Sequence, residues 1–385
     1  MKNLGMRRGV AAAGRTVGLL AVVLTAAACG GSGSASSTPT GLPTATGTGT
    51  SLITPSATPS ATSMPTGTPT PVPTWTMPPG MAYSDLDGVL APANMAHRLP
   101  IAVMVDDAPA ARPQSGFTEA SIVYQAPADG AVPRYMLVFQ ENDSTAIGGS
   151  RSARPYYAKW AAEYHAMYTH VGGDRLSRLT VIPGLVGSKS IYNDDAIYGG
   201  CGFHRVATKV PPHNDYTGTA ALLKCAAKHH YPTVIDAKVA LRSFVDAAPA
   251  SDRGTAETIS LVFRATKVGY AYDPATNTYL RSVAGKPQLD ELNGHRVAPT
   301  NVVVLFQNFY QDPNQEPHYD RPVVVNVGKG NALVFMNGHA IKATWKKKTD
   351  TDLTRLYDST GKEISLVRGQ IFIQSLPTTA TVHYN

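Results

Sequence analysis

A long stretch without charged side chains limits how much of this 385-residue chain can fold. Between Arg15 and Asp85 there is no Asp, Glu, Lys or Arg, and from Cys29 to about Gly80 the residues are mainly Gly, Ser, Thr and Pro. Such a segment buries too little apolar surface to offset the entropy lost on ordering. We therefore predict a disordered tether at residues 29–80, which would span roughly 40 Å as a flexible coil and about 150 Å if fully extended.

The first 28 residues have the layout of a secretory signal peptide. The basic residues of this segment are Lys2, Arg7, Arg8 and Arg15. An apolar run too short to span a bilayer follows, and then small residues lead to Cys29. The string "AAAC" resembles the lipobox of bacterial lipoproteins, although Ala26 stands where leucine is usual. We expect Cys29 to carry acyl chains, such as palmitate, that anchor the mature protein to the outer face of the cell membrane. The alternative is ordinary cleavage with a spare thiol.

The charge of the chain changes when this segment is removed. The signal peptide holds four basic residues and no acidic one, so its removal lowers the formal net charge from +7 to +3. No polybasic tract or recognition motif remains, and we predict no nucleic acid partner.

Two further cysteines, Cys201 and Cys225, remain once Cys29 is assigned to lipid. Disulfides persist in an extracellular compartment, so we predict a disulfide between them. The alternative is a pair of buried thiols.

The remaining 300 or so residues, from Tyr83 onward, exceed what one hydrophobic core usually organises. Small and turn-forming residues from Ala247 to Thr258 mark the expected joint. We predict an α+β protein in which a mixed α/β domain at residues 83–250 precedes a mainly antiparallel β domain at residues 255–385.

Local patterns suggest the elements of each half. In the first half, the apolar runs that read as strands are Leu99–Asp107, Ala120–Ala126 and Arg134–Glu141. Helices are predicted over Gly218–His230 and from Tyr156 to Met167, where Tyr156, Trp160, Tyr164 and Met167 recur at helical spacing. We interpret this aromatic stripe as core in preference to a sugar-stacking platform. In the second half, Asn337-Gly338 between two strand-like runs predicts a type I′ hairpin.

An ordered series of strings resembles one family, the YerB-like bacterial lipoproteins. The series includes "PIAVMVDD", "IGGSRSARPYY", "PPHNDYT" and "GKGNALVFMNGHAIKATW". The resemblance implies a domain of unknown function with its own C-terminal companion, held in the cell envelope by lipid. It implies no established reaction, and its suggested roles lie in or beside cell-wall assembly. This chain departs from the family pattern at Asp107 and Gln125, where asparagine and glutamate would be expected.

The stretch "IGGSRSARPYYAKW", Ile147 to Trp160, is the first candidate for ligand contact. Its glycines permit a tight turn with exposed backbone N–H groups, and Pro155 suits the first turn of a helix. Helix N-termini attract anions, and Arg151 and Arg154 would add guanidinium forks for phosphate or carboxylate. The alternatives are a turn whose arginines face water and a structural bridge to carboxylates.

Further polar candidates lie where apolar runs end, which is where ligand sites form in α/β folds. The complete set of ligand-binding candidates is Arg112, Arg134, Arg151, Arg154, His204, His213 and Asn214. Asp106 and Asp107, at the end of the first strand, are the obvious internal partners for the arginines. A buried Arg/Asp network that only fixes loops is the alternative.

We favour a non-enzymatic protein that binds an anionic wall ligand, such as peptidoglycan or teichoic acid, or a wall-synthesis protein. The alternative is a hydrolase or transferase acting on wall polymer, with Asp106 or Asp107 as base and His213 or His204 as acid. The sequence has no GxSxG elbow, no Walker loop and no close metal-ligand spacing, so we predict no metal and no cofactor. A third possibility is partner binding through an exposed sheet edge of the second domain.

Overall fold

The computed structural model describes residues 76–385 except 257, 265 and 315–319, and it does not describe the side chain of Ala131. The predicted signal peptide, Cys29 and nearly all of the predicted tether lie outside the described residues. Within the described part of the chain, no helix is long and apolar enough to cross a membrane.

Short strands and four α-helices make up the first half of the described chain. The strands are β1 (Met81–Tyr83), β2 (Leu90–Pro92), β3 (Ile101–Asp106), β4 (Ile122–Pro127), β5 (Pro133–Phe139), β6 (Ile147–Gly148), β7 (Met167–His170), β8 (Tyr192–Asp195), β9 (His204–Arg205), β10 (Asp215–Thr217) and β11 (Phe244–Val245). The helices are α1 (Ala93–Ala96), α2 (Pro155–Ala161), α3 (Ile182–Gly187) and α4 (Thr219–Lys228). Single 3₁₀ turns cover Pro109–Ala111, Asp129–Ala131, Ala162–Tyr164 and Ala250–Asp252, and a π-helical turn at Ser177–Val181 precedes α3.

From residue 258 onward, strands are the only regular secondary structure in the described part of the chain. They are β12 (Thr258–Phe263), β13 (Thr266–Asp273), β14 (Thr278–Val283), β15 (Lys286–Pro287), β16 (Asn301–Gln311), β17 (Pro322–Val325), β18 (Gly328–Met336), β19 (His339–Lys347), β20 (Arg355–Tyr357), β21 (Leu366–Val367), β22 (Ile371–Pro377) and β23 (His383–Tyr384). Strand therefore predominates over helix in the described residues, which is compatible with the predicted α+β class. The mixed α/β character of the first half stays a prediction.

One large sheet takes strands from both halves of the chain. Its order is β20-β19-β18-β16-β22-β4-β5-β3-β7-β8, and β17 pairs with β16 beside this path. β22 pairs in parallel with both β16 and β4, so the two halves are hydrogen bonded side by side. A second, antiparallel sheet has the order β15-β14-β13-β12-β23. The division into domains at residues 250–255 stays a prediction.

The central sheet is buried on both faces, which explains its continuous apolar runs. All six residues of β3 are buried, and alternate side chains enter different cores. Ala102 and Met104 pack with α2 on one face, whereas Val103 and Val105 pack with side chains of the second sheet on the other. Residues at the end of β3 are therefore held between two packed layers.

The aromatic stripe belongs to the core, as the sequence suggested. Tyr156, Trp160 and Tyr164 are each no more than 2% exposed, and the Trp160 ring stacks on Tyr124 with centroids 5.0 Å apart. The predicted continuation of this helix to Met167 is wrong. α2 ends at Ala161, a 3₁₀ turn follows, and His165 at a φ of 47° turns the chain into β7, which contains Met167. A short apolar run fits a helix or a buried strand equally well, and here the strand forms.

Two local predictions from the sequence are confirmed. Asn337 and Gly338 link β18 to β19 with φ values of 52° and 68°, as a type I′ turn requires. Cys201 and Cys225 form the predicted disulfide, whose Cα atoms are 5.6 Å apart.

We expect Asp87 to make the stability of the fold depend on pH. Burial, and then the nearby charge of Glu141, raise the pKa of Asp87 to about 8. A carboxyl with a raised pKa in the folded state binds a proton that the unfolded chain releases above about pH 4. The free energy of unfolding should therefore fall as the pH rises from about 4 to 8.

Asp87→Asn should remove much of this loss, because the amide is neutral and keeps an oxygen to accept the Val89 N–H. We expect the variant to be more stable than the unmodified protein at pH 8, by on the order of a few kcal/mol, and similar to it at pH 4. Thermal unfolding of both proteins at the two pH values measures the effect. An identical pH dependence in both proteins would contradict the assignment.

Candidate functional site

Two polar clusters meet at the end of β3, one on Asp106 and one on Asp107. Asp106 is 3% exposed, and its Oδ2 lies 2.9 Å from Arg151 Nε and 2.7 Å from His213 Nδ1. Its Oδ1 accepts a hydrogen bond of 3.0 Å from the Ala108 N–H. The side chains of Arg151 and His213 are 25% and 15% exposed, so this cluster reaches the surface.

The two glycines before Arg151 allow close packing of three chain segments. A Cβ at Gly149 would lie 2.3 Å from the backbone oxygen of His213, and one at Gly148 would lie 2.6 Å from the Tyr216 ring. Only glycine fits at such approaches. The glycines thus place the loop between the end of β3 and the segment that carries His213.

The same loop uses its backbone N–H groups within the protein. The N–H groups of Gly148, Ser150, Arg151 and Ala153 donate to the carbonyl oxygens of Ser115, Asp215, Met104 and Gly172. The sequence had suggested that N–H groups of this loop are open to an anion. These four are not, because each is already hydrogen bonded within the protein. Of the two arginines in this loop, Arg151 has the more exposed side chain, at 25% against 3% for Arg154, so it is the better candidate for an anion contact.

Arg154 and Arg134 form a separate, buried cluster around Asp129. Arg154 Nε donates to Asp129 Oδ1 over 3.0 Å, and the Arg134 guanidinium lies 3.5 Å from Oδ2. Arg321 Nε also lies 3.0 Å from Oδ1. Although burial acts to raise it, the pKa of Asp129 is lowered by Arg154 and Arg134. Arg134 and Arg154 thus connect loops through Asp129. This matches the alternative raised from the sequence, a buried Arg/Asp network that fixes loops.

Burial marks this cluster as structural. The side chains of Arg154 and Arg134 are 3% and 8% exposed. Burial, and then the charge of Arg154, lower the pKa of Arg134 to about 10. The partner Asp129 was missed by sequence reasoning, because two of its three arginines, Arg154 and Arg321, are distant from it along the chain.

Asp107 begins a buried chain of polar groups. It is 0% exposed, and its Oδ1 accepts from Arg112 Nε over 3.1 Å while its Oδ2 accepts from Gln125 Nε2 over 2.7 Å. Burial raises the pKa of Asp107, against the charges of Arg112 and Arg281. Gln125 Oε1 in turn accepts from the Arg281 guanidinium over 2.7 Å. The acid and the amide that depart from the family pattern are therefore direct hydrogen-bond partners.

Arg281, on β14, is the second residue of these polar clusters that sequence reasoning missed. Its side chain is fully buried, lies 4.6 Å from the centroid of the Phe372 ring and donates to the Tyr270 hydroxyl over 3.1 Å. Burial acts to lower the pKa of Arg281, but its neighbours, Tyr135 first, raise it above the usual value. The alternation of side chains along β14 could have indicated that Arg281 points inward, since Arg281 shares a face of the strand with Tyr279 and Val283, which are also buried.

An open cleft of about 520 Å³ lies next to this buried chain. One wall is the loop after β3, and the other is the hairpin of β14 and β15. Its lining includes Pro109, Arg112, Gln114, Val283, Lys286 and Leu289. A mostly apolar wall with a few polar groups is typical of small-molecule sites. The 22% exposed side chain of Arg112 connects this cleft to Asp107.

His204 and Asn214 lie outside both clusters. His204 is exposed on β9. Asn214 accepts from the Arg205 guanidinium over 2.7 Å and donates to the Val206 carbonyl over 3.3 Å, which gives it a structural role. The structure thus groups Arg151 and His213 on Asp106, places Arg112 on Asp107, and separates the remaining sequence candidates from them.

A single group of potential metal ligands occurs in the described part of the chain. It consists of Cys201, Cys225 and His229, whose ligand atoms lie within 4.8 Å of one another. Both sulfur atoms are already used by the disulfide. These residues therefore do not fit a metal ion.

Fold and site together define a β-rich protein with polar strand-end clusters beside an open cleft. The chain belongs to the DUF3048 family of proteins of unknown function: the N-terminal domain of the family matches residues 86–232 and the C-terminal domain matches residues 259–373.

Two similarities extend beyond the family match. The chain is 28% identical over 302 residues to the "Putative lipoprotein YerB" of Bacillus subtilis, covering 76% of this chain and 85% of the relative. The crystal structure of the YerB protein from Bacillus subtilis superposes with a TM-score of 0.67 at 24% identity. That match covers 78% of this chain and 99% of the solved one, and it supports the fold.

Proposed function

We propose that this protein is a non-enzymatic envelope lipoprotein whose folded part binds an anionic wall ligand in the cleft beside Arg112. The name of the Bacillus subtilis relative, a putative lipoprotein, supports a lipid anchor, which in this proposal is carried by Cys29 on the outer face of the membrane. Peptidoglycan fragments and teichoic acid both carry anionic groups, and both would be accessible to a head on a tether.

The imbalance of charge beside the cleft carries this proposal. Two guanidinium groups lie around the single carboxylate of Asp107: Arg112 contacts it directly, and Arg281 is linked to it through Gln125. Burial disfavours the charged form of Asp107, which weakens its ability to balance them. The carboxylate of the adjacent Asp106 already pairs with Arg151 and His213, so it does not balance these two guanidinium groups. An anion in the cleft would supply the missing negative charge.

The exposure and position of Arg112 make it the expected contact residue. Arg281 is fully buried, whereas Arg112 is 22% exposed and lines the cleft together with Lys286. A guanidinium that uses one edge on a carboxylate keeps N–H groups for a second acceptor. The apolar wall formed by residues such as Val283 and Leu289 suits a ligand with an apolar portion beside its anionic group.

Binding of the full-length protein to isolated cell walls tests the proposal. Arg112→Gln should weaken binding at least about tenfold, because it removes the charge at the cleft. The matched control is Arg175→Gln, which removes the same charge from an exposed arginine outside the cleft and should leave binding unchanged. Unchanged binding by Arg112→Gln would reject the cleft as the site.

A second candidate function rests on the 2.7 Å contact between Asp106 and His213. A carboxylate that orients a histidine is the arrangement of an acid–base pair, as in hydrolases and transferases. Within the described residues, however, no side-chain hydroxyl or thiol is hydrogen bonded to His213, and Arg151 shares the same carboxylate oxygen. Release of soluble fragments from labelled cell wall, lost in His213→Ala and kept in Arg112→Gln, would favour this second function.

A further inference from the structure

A second cleft, rich in cations, lies at the end of the central sheet formed by β18, β19 and β20, and we propose that it binds a linear polymer that carries phosphate groups. The cleft measures about 580 Å³ and is lined by residues of β18, β19 and β20 and by the segment between the last two. Its cations include Lys329, Lys346, Lys348 and Arg355.

Strand register aligns three of these cations in one row. Lys329 on β18 is paired directly with Lys346 on β19, and Lys346 is paired directly with Arg355 on β20. Directly opposed residues of antiparallel strands project from the same face, with Cβ atoms roughly 5 Å apart. Like charges in such positions destabilise a sheet, so an anion between them would stabilise the row.

The acidic residues nearby leave the row only partly balanced. Glu363 forms an ion pair with Arg355. The Lys346 ammonium lies 4.3 Å from the centroid of the Tyr357 ring, a contact that attracts a cation without neutralising it. Within the described residues, no carboxylate lies within 4.0 Å of the ammonium groups of Lys329 and Lys346. The row therefore carries excess positive charge.

Other charges of the cleft do not restore the balance. Lys347, which also lines it, is matched by the buried carboxylate of Glu163 at 2.7 Å. Asp352 lines the cleft too, but Lys348 adds a further cation beside it. When the pairs Lys347–Glu163 and Arg355–Glu363 are set aside, the lining still contains three lysines and one carboxylate, that of Asp352.

The dimensions of the row indicate a polymer. Neighbouring strands lie roughly 4.8 Å apart, so a row across three strands extends about 10 Å, which exceeds the width of a single phosphate. Lysine ammonium groups act as compact point charges and bind phosphate without the planar geometry that arginine imposes. A flexible chain of phosphate groups could contact successive cations along the row.

The polymer site is independent of the function proposed for the Arg112 cleft. The row uses β18, β19 and β20, whereas the Arg112 cleft uses the loop after β3 and the hairpin of β14 and β15. Variants in one site leave the other intact, so either proposal can fail alone.

Binding of fluorescent inorganic polyphosphate to the full-length protein at fixed ionic strength tests the inference. The double variant Lys329→Ala with Lys346→Ala should weaken binding at least about tenfold. The matched control is Lys267→Ala with Lys342→Ala, which removes the same charge from exposed lysines outside the cleft and should change binding by less than about threefold. Loss of like-charge repulsion predicts that the first double variant unfolds at the same temperature as the unmodified protein or at a higher one.

Several outcomes would overturn the inference. No measurable binding of polyphosphate by the unmodified protein would reject the site. An equal loss of polyphosphate affinity in the two double variants would show that binding depends on the net charge of the protein and not on this cleft. Equal affinity for polyglutamate of the same length would reject the assignment to phosphate, and retained binding by the first double variant would place any polyphosphate site elsewhere.

Discussion

Glu163→Ala should lower the free energy of unfolding by about 3–5 kcal/mol, the largest loss that we predict for a single substitution in this protein. Glu163 and Lys347 are fully buried as side chains, and their charged atoms lie 2.7 Å apart. Removal of the carboxylate leaves the buried ammonium group of Lys347 with a hydrogen bond of 2.6 Å to the Asp352 carbonyl oxygen but without a negative charge to balance it, and its desolvation is then not compensated.

Further bonds to the same carboxylate add to this effect. The Thr354 hydroxyl donates to Glu163 Oε1 over 2.6 Å, and the Thr354 N–H donates to Oε2 over 3.1 Å. Burial lowers the pKa of Lys347 even with Glu163 present. The cluster joins the turn after α2 to β19, so its loss should loosen the contact between the two halves of the chain.

Chemical denaturation of matched variants measures the Glu163 contribution. Glu163→Gln should cost less than Glu163→Ala, because the amide oxygen can still accept a hydrogen bond. The double variant Glu163→Leu with Lys347→Met should also cost less than Glu163→Ala, since it leaves no buried charge. A loss below about 1 kcal/mol for Glu163→Ala would mean that the pair is hydrated in solution.

Asp129→Ala should lower the free energy of unfolding by about 2–4 kcal/mol. This substitution removes the carboxylate of the nearly buried Arg134, leaves the nearly buried Arg154 with only the more distant Asp174 at 3.7 Å, and removes a partner of Arg321. We expect a smaller loss than at Glu163 because the Asp129 side chain is 24% exposed and solvent screens part of the interaction.

Asp350→Ala is the matched control for Asp129→Ala. Asp350 pairs with Lys159 at 3.0 Å, but the two side chains are 42% and 26% exposed, so the loss should stay below about 1 kcal/mol. Equal denaturation midpoints for the two alanine variants would show that the arginine cluster is not structural. The arginines would then become candidates for ligand contact again.

Polar positions at the end of β3 could be predicted from the sequence, because a strand of buried residues must deliver its following polar residues to the edge of the sheet. The sequence placed Asp106 and Asp107 there as partners for all four candidate arginines, and the structure pairs them with Arg151 and Arg112 respectively. The division of the four candidate arginines into two structural and two partly exposed groups could not be predicted. It depends on Asp129 and on the packing of the loop that carries it.

Two other features depended on tertiary contacts. Met167 matched a helical spacing, yet it forms part of β7, where it pairs with Ile101. Arg281 lies on the inward face of β14 and reaches Gln125, which is distant in sequence. Strand alternation marks an inward position, but it does not reveal which strand of the neighbouring sheet will face it. The row of Lys329, Lys346 and Arg355 likewise becomes visible only when the strand register is known.

A structure of the protein determined with anionic cell-wall fragments tests the proposed ligand site most directly. We predict a bound fragment in the cleft of about 520 Å³, with an anionic group within hydrogen-bond distance of the Arg112 guanidinium. The Asp107, Gln125 and Arg281 hydrogen bonds should be unchanged behind it. A fragment bound elsewhere, with the cleft occupied by solvent and Arg112 contacting Asp107 alone, would contradict the proposal.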